Sequence, residues 1–203
     1  MNGGTGRRRA ARLRLGGILG LAAVLAGCSA VMPTPAVDTY DLGTPTVAAA
    51  PKGRSTQVLV PEPTADRAFD TDRIVVRPSA TEIAYFAGAQ WADRLPRLLQ
   101  SRLIASLEAS GRFRAAGRPG QGLAIDRQIV AEIRAFDYEA GQGRVVVALS
   151  VKLMDDRTGR VIAAETFRTE EPAADEARAA VVAFDRALQR LLGEIVAWVA
   201  GHG

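Results

Sequence analysis

Cys28 is the residue of this chain whose type and setting together specify a reaction. It is the only cysteine among 203 residues and ends the run Leu25-Ala26-Gly27-Cys28. Ahead of that run lie an apolar segment, residues 15–26, and a cluster formed by Arg7, Arg8, Arg9, Arg12 and Arg14. A positive n-region of this kind stays on the cytoplasmic side of a membrane. The apolar segment falls well short of the roughly 20 residues that span a bilayer. Small residues then present a thiol where the chain leaves the bilayer. The arrangement reads as a bacterial lipoprotein signal: residues 1–27 are removed, a diacylglycerol is joined to the Cys28 sulfur, and an acyl chain is added to the new N-terminus. Leu25 is too large for a plain secretory signal, which takes small residues at both specificity positions. The arginine-rich n-region is also compatible with a weak twin-arginine signal.

Elsewhere the residue types needed for catalysis are missing. His202 is the only histidine and lies one residue from the end, so no internal Ser-His-Asp or Cys-His site can form. Thiolate zinc sites and disulfides are excluded with a single cysteine already committed. No glycine-rich phosphate loop follows a predicted strand. Asp155 and Asp156 could be imagined as an acid/base or metal pair, but Asp155-Asp156-Arg157-Thr158-Gly159 has the composition of a tight hairpin turn. Asp70, Asp72 and Arg73 fit either an interaction patch or a turn with local hydrogen bonds. Tyr85, Phe86 and Trp91 gather three aromatics within seven positions of an aromatic-poor chain. Core packing is the ordinary use of such a group, and contact with a partner or lipid is the sharper one. Arg73, Tyr85, Phe86 and Trp91 are therefore the candidate partner-binding residues. The chain reads as a non-enzyme with no metal and no cofactor beyond the lipid on Cys28.

Charge points the same way. Five of the 26 basic residues and none of the 22 acidic ones lie in residues 1–27. The remainder is close to neutral, so the formal charge of +4 belongs to the signal and no nucleic-acid partner is implied. Lys52 and Lys152 are the only lysines.

The elements that position these residues follow from periodicity. Pro33, Pro35, Pro45 and Pro51 favour extended, poorly packed backbone, so residues 28–37 read as a tether and 43–54 as a Pro/Ala/Gly-rich linker. A tether of that length allows an excursion of roughly 30 Å. Between tether and linker, Tyr40 and Leu42 are spaced as in a short edge strand, residues 38–42. Residues 57–60 read as a strand ended by Pro61, residues 64–71 as a loop, 73–77 as a strand stopped by Pro78, and 82–87 as another short strand before a loop at Gly88. Asp93 as cap and Pro96 in the first turn predict a helix to about Ser110, ended by Gly111. Residues 112–116 form a short strand. Leu123, Ile125, Ile129, Ala131 and Ile133 alternate, interrupted by Arg127, and Val145, Val147, Leu149, Val151 and Leu153 alternate without a break. Val161, Ala163 and Phe167 continue the pattern on a third strand. Val181, Phe184, Leu188, Leu191, Ile195 and Trp198 then mark one face of a helix over about residues 174–199.

Taken in order, Asp70-Thr71-Asp72-Arg73-Ile74-Val75-Val76-Arg77, Glu82-Ile83-Ala84-Tyr85-Phe86, Trp91-Ala92-Asp93 and Leu98-Leu99-Gln100 resemble the ABC-type transport auxiliary lipoproteins of the PqiC-like group. So do Leu107-Glu108-Ala109-Ser110-Gly111 and Phe184-Asp185-Arg186-Ala187-Leu188 with Trp198. The resemblance implies an α/β fold: one domain over 38–203, with a mixed, largely antiparallel sheet and two main helices packed on it, similar to the N-terminal domain of TolB. It also implies a non-enzymatic component of an intermembrane lipid-transport system, in which an ABC permease and ATPase work with a periplasmic MCE-type protein. The lipoprotein would sit at the periplasmic face of the outer membrane and dock the MCE component, with self-association left open. The alternative is a lipoprotein that itself holds a lipid or other small apolar ligand.

Replacing Cys28→Ser is expected to block lipidation and leave the precursor uncleaved, as read by intact mass and by partition into detergent. A variant of unchanged mature mass and partition overturns the signal reading. Ser29 lacks the acidic character that commonly retains lipoproteins at the inner membrane, so fractionation is expected to find the wild type at the outer membrane.

Overall fold

In the computed structural model, which describes residues 36–46 and 56–202, a sheet of nine strands is built along β7 (Arg127–Glu139). Cys28, the signal and most of the predicted linker lie outside the described residues. One edge of β7 pairs antiparallel with β8 (Arg144–Asp155), which pairs in turn with β9 (Val161–Pro172). The other edge is shared by three short parallel strands. β2 (Gln57–Leu59) lies at its start, β3 (Thr64–Ala65) at its middle and β4 (Arg73–Ser79) at its end. Beyond β2 lies β6 (Ala115–Gly117); beyond β4 lie β5 (Glu82–Trp91) and then β1 (Asp38–Tyr40). Pro61 and Pro63 break the chain between β2 and β3, since proline cannot donate to a ladder. The chain therefore follows the long strand in short pieces.

β7 carries a bulge that reverses its faces. Ile133 pairs with Leu149, yet the next pair is Ala135 with Ala148, so Arg134 is an extra residue. Before it, Ile129, Ala131 and Ile133 face the core; after it, Phe136 and Tyr138 do. A strict alternation read along the sequence misses this switch.

Two helices cover that core. α1 (Leu95–Ala109) buries Leu95, Leu98, Leu99, Leu103 and Leu107, and α2 (Ala177–His202) packs on β8 and β9. Of the predicted stripe, Val181, Phe184, Leu188, Leu191 and Ile195 are buried, while Trp198 lies edge-on to Phe167 at 5.6 Å between ring centroids. Residues of both helices join the inward residues of β7 and β8 in one contiguous buried cluster.

Several local expectations need correction. β4 runs through Pro78 to Ser79, because the β4–β5 pairing is already irregular between Val76 and Ser79 and needs no donor there. β5 is longer than predicted, continuing to Trp91; Gly88 is inside it with φ +66, in a bulge where β5 spans five residues against two of β4. The predicted loop over 64–71 contains β3. Asp93 is not the helix cap: Arg94 holds that position without a side-chain cap hydrogen bond, and Asp93 accepts from the Arg94 N–H at 2.7 Å. Leu123 and Ile125 precede β7 instead of belonging to it, and Val161 is exposed at the mouth of β9. Residues 43–46 lie along α2, with the Gly43 N–H on Asp185 at 2.7 Å and the Thr46 N–H on Gln189 at 2.8 Å.

Leu191 is fully buried, whereas Val182 on the same helix faces outward. Leu191→Ala is expected to cost about 2–5 kcal/mol in urea unfolding, and Val182→Ala within about 0.5 kcal/mol. Equal, small effects would mean that α2 does not pack on the sheet.

Candidate functional site

Alternation along β4 turns Ile74 and Val76 to the helix side and Arg73, Val75 and Arg77 to the opposite face, where Val75 is nonetheless fully buried and Arg73 is exposed. On that second face Val75 lies beside Tyr85 of β5 and Asp137 of β7, and Asp137 beside Val146 of β8. Arg168 and Glu170 of β9 continue it, through their pairs with Ala148 and Val146. Among the described residues both helices pack on the other side, so this sheet face carries no helix.

The charges on it are largely matched. Arg77 Nε lies 3.4 Å from Asp137. Arg144 bridges Glu139 at 2.8 Å and Glu170 at 2.5 Å, and Arg168 reaches Glu170 at 2.8 Å. Arg73 differs. Its guanidinium carbon sits 3.4 Å from the centroid of the Tyr85 ring, and it makes no ion pair among the described residues. A cation held over an aromatic face keeps its charge while its rotamer is restricted. The pair thus offers a fixed flat cation above a half-buried ring.

The four predicted partner-binding residues are separated by the fold. Arg73 and Tyr85 meet on the helix-free face. Phe86, the next residue, points the other way and lies 5.5 Å from the ring of Tyr138, half-buried. Trp91 is 1% exposed, edge-on to Phe136 at 5.8 Å and to Phe184 at 5.7 Å. It is a core residue and presents no side-chain surface to a partner, because the β5 bulge turns the end of the strand into the core. The turn before Arg73 is tied down: the Trp91 N–H donates to Asp72 O at 2.6 Å and the Leu95 N–H to Thr71 O at 2.9 Å. Arg94 donates from Nε to Asp70 at 2.9 Å and from Nη1 to Glu62 at 3.1 Å. That turn is accordingly structural, and Arg94, which no sequence pattern singled out, is its fastener.

Asp137 is the residue sequence reasoning missed. It is 2% exposed, and burial pushes its carboxyl above the usual carboxylate range against the attraction of Arg77. Only the bulge at Arg134 puts it on this face, so its signal was in the tertiary register. Asp155 and Asp156, by contrast, are turn residues. Asp155 accepts from the Thr158 N–H at 3.0 Å and hydroxyl at 2.8 Å, which hold its carboxyl below the usual range. Asp156 accepts from Gln128. Among the described residues no three His, Cys, Asp or Glu side chains converge as a metal site.

With the sheet, its two helices and this face described, the comparison with known proteins decides the family. Residues 40–196 match the ABC-type transport auxiliary lipoprotein component family. The chain belongs to that family. It is 36% identical over 163 residues to an uncharacterized protein of Bradyrhizobium diazoefficiens; the match takes in 79% of this chain and 44% of the relative, so the chain spans less than half of that protein's length. A crystal structure of a Xanthomonas campestris protein superposes with a TM-score of 0.71 at 30% identity, covering 80% of this chain and 96% of that one. A second crystal structure, of an uncharacterized protein at 16% identity, shares the fold with a TM-score of 0.66 over 81% of this chain and 99% of its own. This chain thus has a mixed open sheet with two helices, as the resemblance implied, and shares that fold with both crystal structures. Among the described residues no helix is long and apolar enough to cross a membrane.

Asp137→Asn tests the buried carboxyl. Its folded-state pKa is raised, so the stabilisation it contributes is complete below the unfolded value of about 4 and is lost as pH rises through the folded value. The stability of Asp137→Asn relative to wild type is therefore expected to rise with pH across that window, measured by urea unfolding at several pH values. A difference that stays flat would mean that Arg77 fully offsets the burial.

Proposed function

We propose that this protein is a non-enzymatic, lipid-anchored docking subunit at the periplasmic face of the outer membrane, and that its helix-free sheet face receives the MCE-type component of an ABC-driven intermembrane lipid-transport system. Membership of the auxiliary lipoprotein family supports association with an ABC transport system. The observation that carries the docking role is the Arg73–Tyr85 pair. It joins a cation without a carboxylate partner among the described residues to an aromatic ring, on the face that the helices leave open. Arg and Tyr are over-represented at the centres of protein interfaces because both combine apolar area with a polar handle. Arg73 would meet an acidic group on the partner, while Tyr85 and the exposed Ile83 supply apolar contact. A contiguous cluster of buried side chains between sheet and helices favours this reading over a lipid held there. Phe86 supports the face from beneath, and Trp91 belongs to the fold.

Arg73→Ala and Tyr85→Ala are expected to weaken capture of the MCE component by at least about tenfold, roughly 1.4 kcal/mol, with melting temperatures nearly unchanged. Phe86→Ala should lower the melting temperature instead. Normal capture by both surface variants, or loss only in proportion to lost folding, places the docking surface elsewhere.

A further inference from the structure

The opposite end of β7 carries a second arrangement that the docking face does not use. A cleft of about 460 Å³ opens beside the β8–β9 turn, a size within the roughly 300–1,000 Å³ of small-ligand sites. Arg127, Arg157 and Arg160 line it, together with Asp155, Val161 and Ile162. Arg127 spends Nη1 on Asp155 at 2.8 Å and on the Asp126 carbonyl at 3.1 Å, while its Nε is buried with no acceptor among the described residues. Arg157 and Arg160 are exposed and make no ion pair among the described residues. Three guanidinium groups therefore face one carboxylate, which is already occupied by Thr158 and Arg127. The turn holding them is stiff: Asp155 and Arg160 are joined by a backbone bond of 2.9 Å, and Gly159 closes it at φ +69. Val161 and Ile162 are 52% and 39% exposed, among the few large apolar side chains left open to solvent.

We infer that this cleft binds a phosphate monoester or diester, and specifically the headgroup phosphate of a lipid. Guanidinium groups bind tetrahedral oxyanions in bidentate fashion, which explains the surplus of positive charge. Free phosphate has no use for the two adjacent aliphatic side chains. A glycerophospholipid does, since the first methylenes of its chains would lie against Val161 and Ile162 while the phosphate meets Arg157 and Arg160. The inference is independent of the docking reading, because Arg127 and Asp137 lie ten residues apart along β7, roughly 33 Å at 3.3 Å per residue.

The test uses the full chain in neutral detergent micelles, with a fluorescent phosphatidylglycerol read by anisotropy and with inorganic phosphate and glycerol 3-phosphate as competitors. Saturable lipid binding is expected, and Arg157→Gln with Arg160→Gln should weaken the lipid and both competitors about tenfold. Because those two side chains are exposed, the melting temperature should hold. Val161→Ser with Ile162→Ser should weaken lipid binding while competition by inorganic phosphate at the Arg residues is unchanged. Absence of saturable binding, or binding indifferent to the double Arg replacement, overturns the site. Lipid binding no tighter than that of glycerol 3-phosphate and indifferent to the Val161/Ile162 change overturns the lipid assignment in favour of free phosphate. Capture of the MCE component is a separate measurement, so failure here leaves the docking reading standing.

Discussion

Phe136 reaches the core only because β7 has one residue more than β8 opposite it. Without the extra Arg134, the period-two alternation that buries Ile129, Ala131 and Ile133 would turn Phe136 and Tyr138 outward and Asp137 inward. With it, the Phe136 ring stacks on Phe184 of α2 at 4.7 Å and 7° between planes, and Trp91 from the end of β5 closes edge-on against both. Each such aromatic pair is worth about 0.5–1.5 kcal/mol beyond the area it buries. Three elements distant in sequence are therefore fastened at one point.

The same bulge decides what the other face contains. It moves Asp137 out of the helix-covered core and beside Arg77, on a face where charge can be matched by charge. The neighbouring pairs of Arg144 and Arg168 with Glu139 and Glu170 match most of the remaining charge on that face. Against this background the stacked Arg73 stands out. On that face Val75, Asp137 and Val146 are still fully buried, so only its outer residues, Arg73 and Ile83 among them, can change without disturbing the packing.

The two carboxylates that the sequence left open, Asp155 and Asp156, are absorbed by the β8–β9 turn, where Asp155 accepts from Thr158 and Asp156 from Gln128. Membership of the auxiliary lipoprotein family agrees with a role carried by surfaces. Both proposed surfaces place arginine beside apolar groups, Arg73 with Tyr85 at one end of β7 and Arg157 and Arg160 with Val161 and Ile162 at the other. They differ in shape: the first is open, suited to a protein, and the second is concave, suited to a small anion.

The sequence by itself determined those elements whose period is unbroken. The inward residues of β8 and the buried stripe of α2 alternate or recur without interruption, so burying them admits one orientation. The hairpin turn at Asp155–Gly159 was legible for a similar reason, since its hydrogen bonds are local. Tertiary structure decided everything that depends on which strand lies opposite. The bulges at Arg134 and Gly88, the course of β4 through Pro78, the burial of Trp91 and the placing of Tyr85 on the helix-free face all follow from register against another strand. A one-residue shift in that register inverts a side chain's face, and nothing local in the sequence records it.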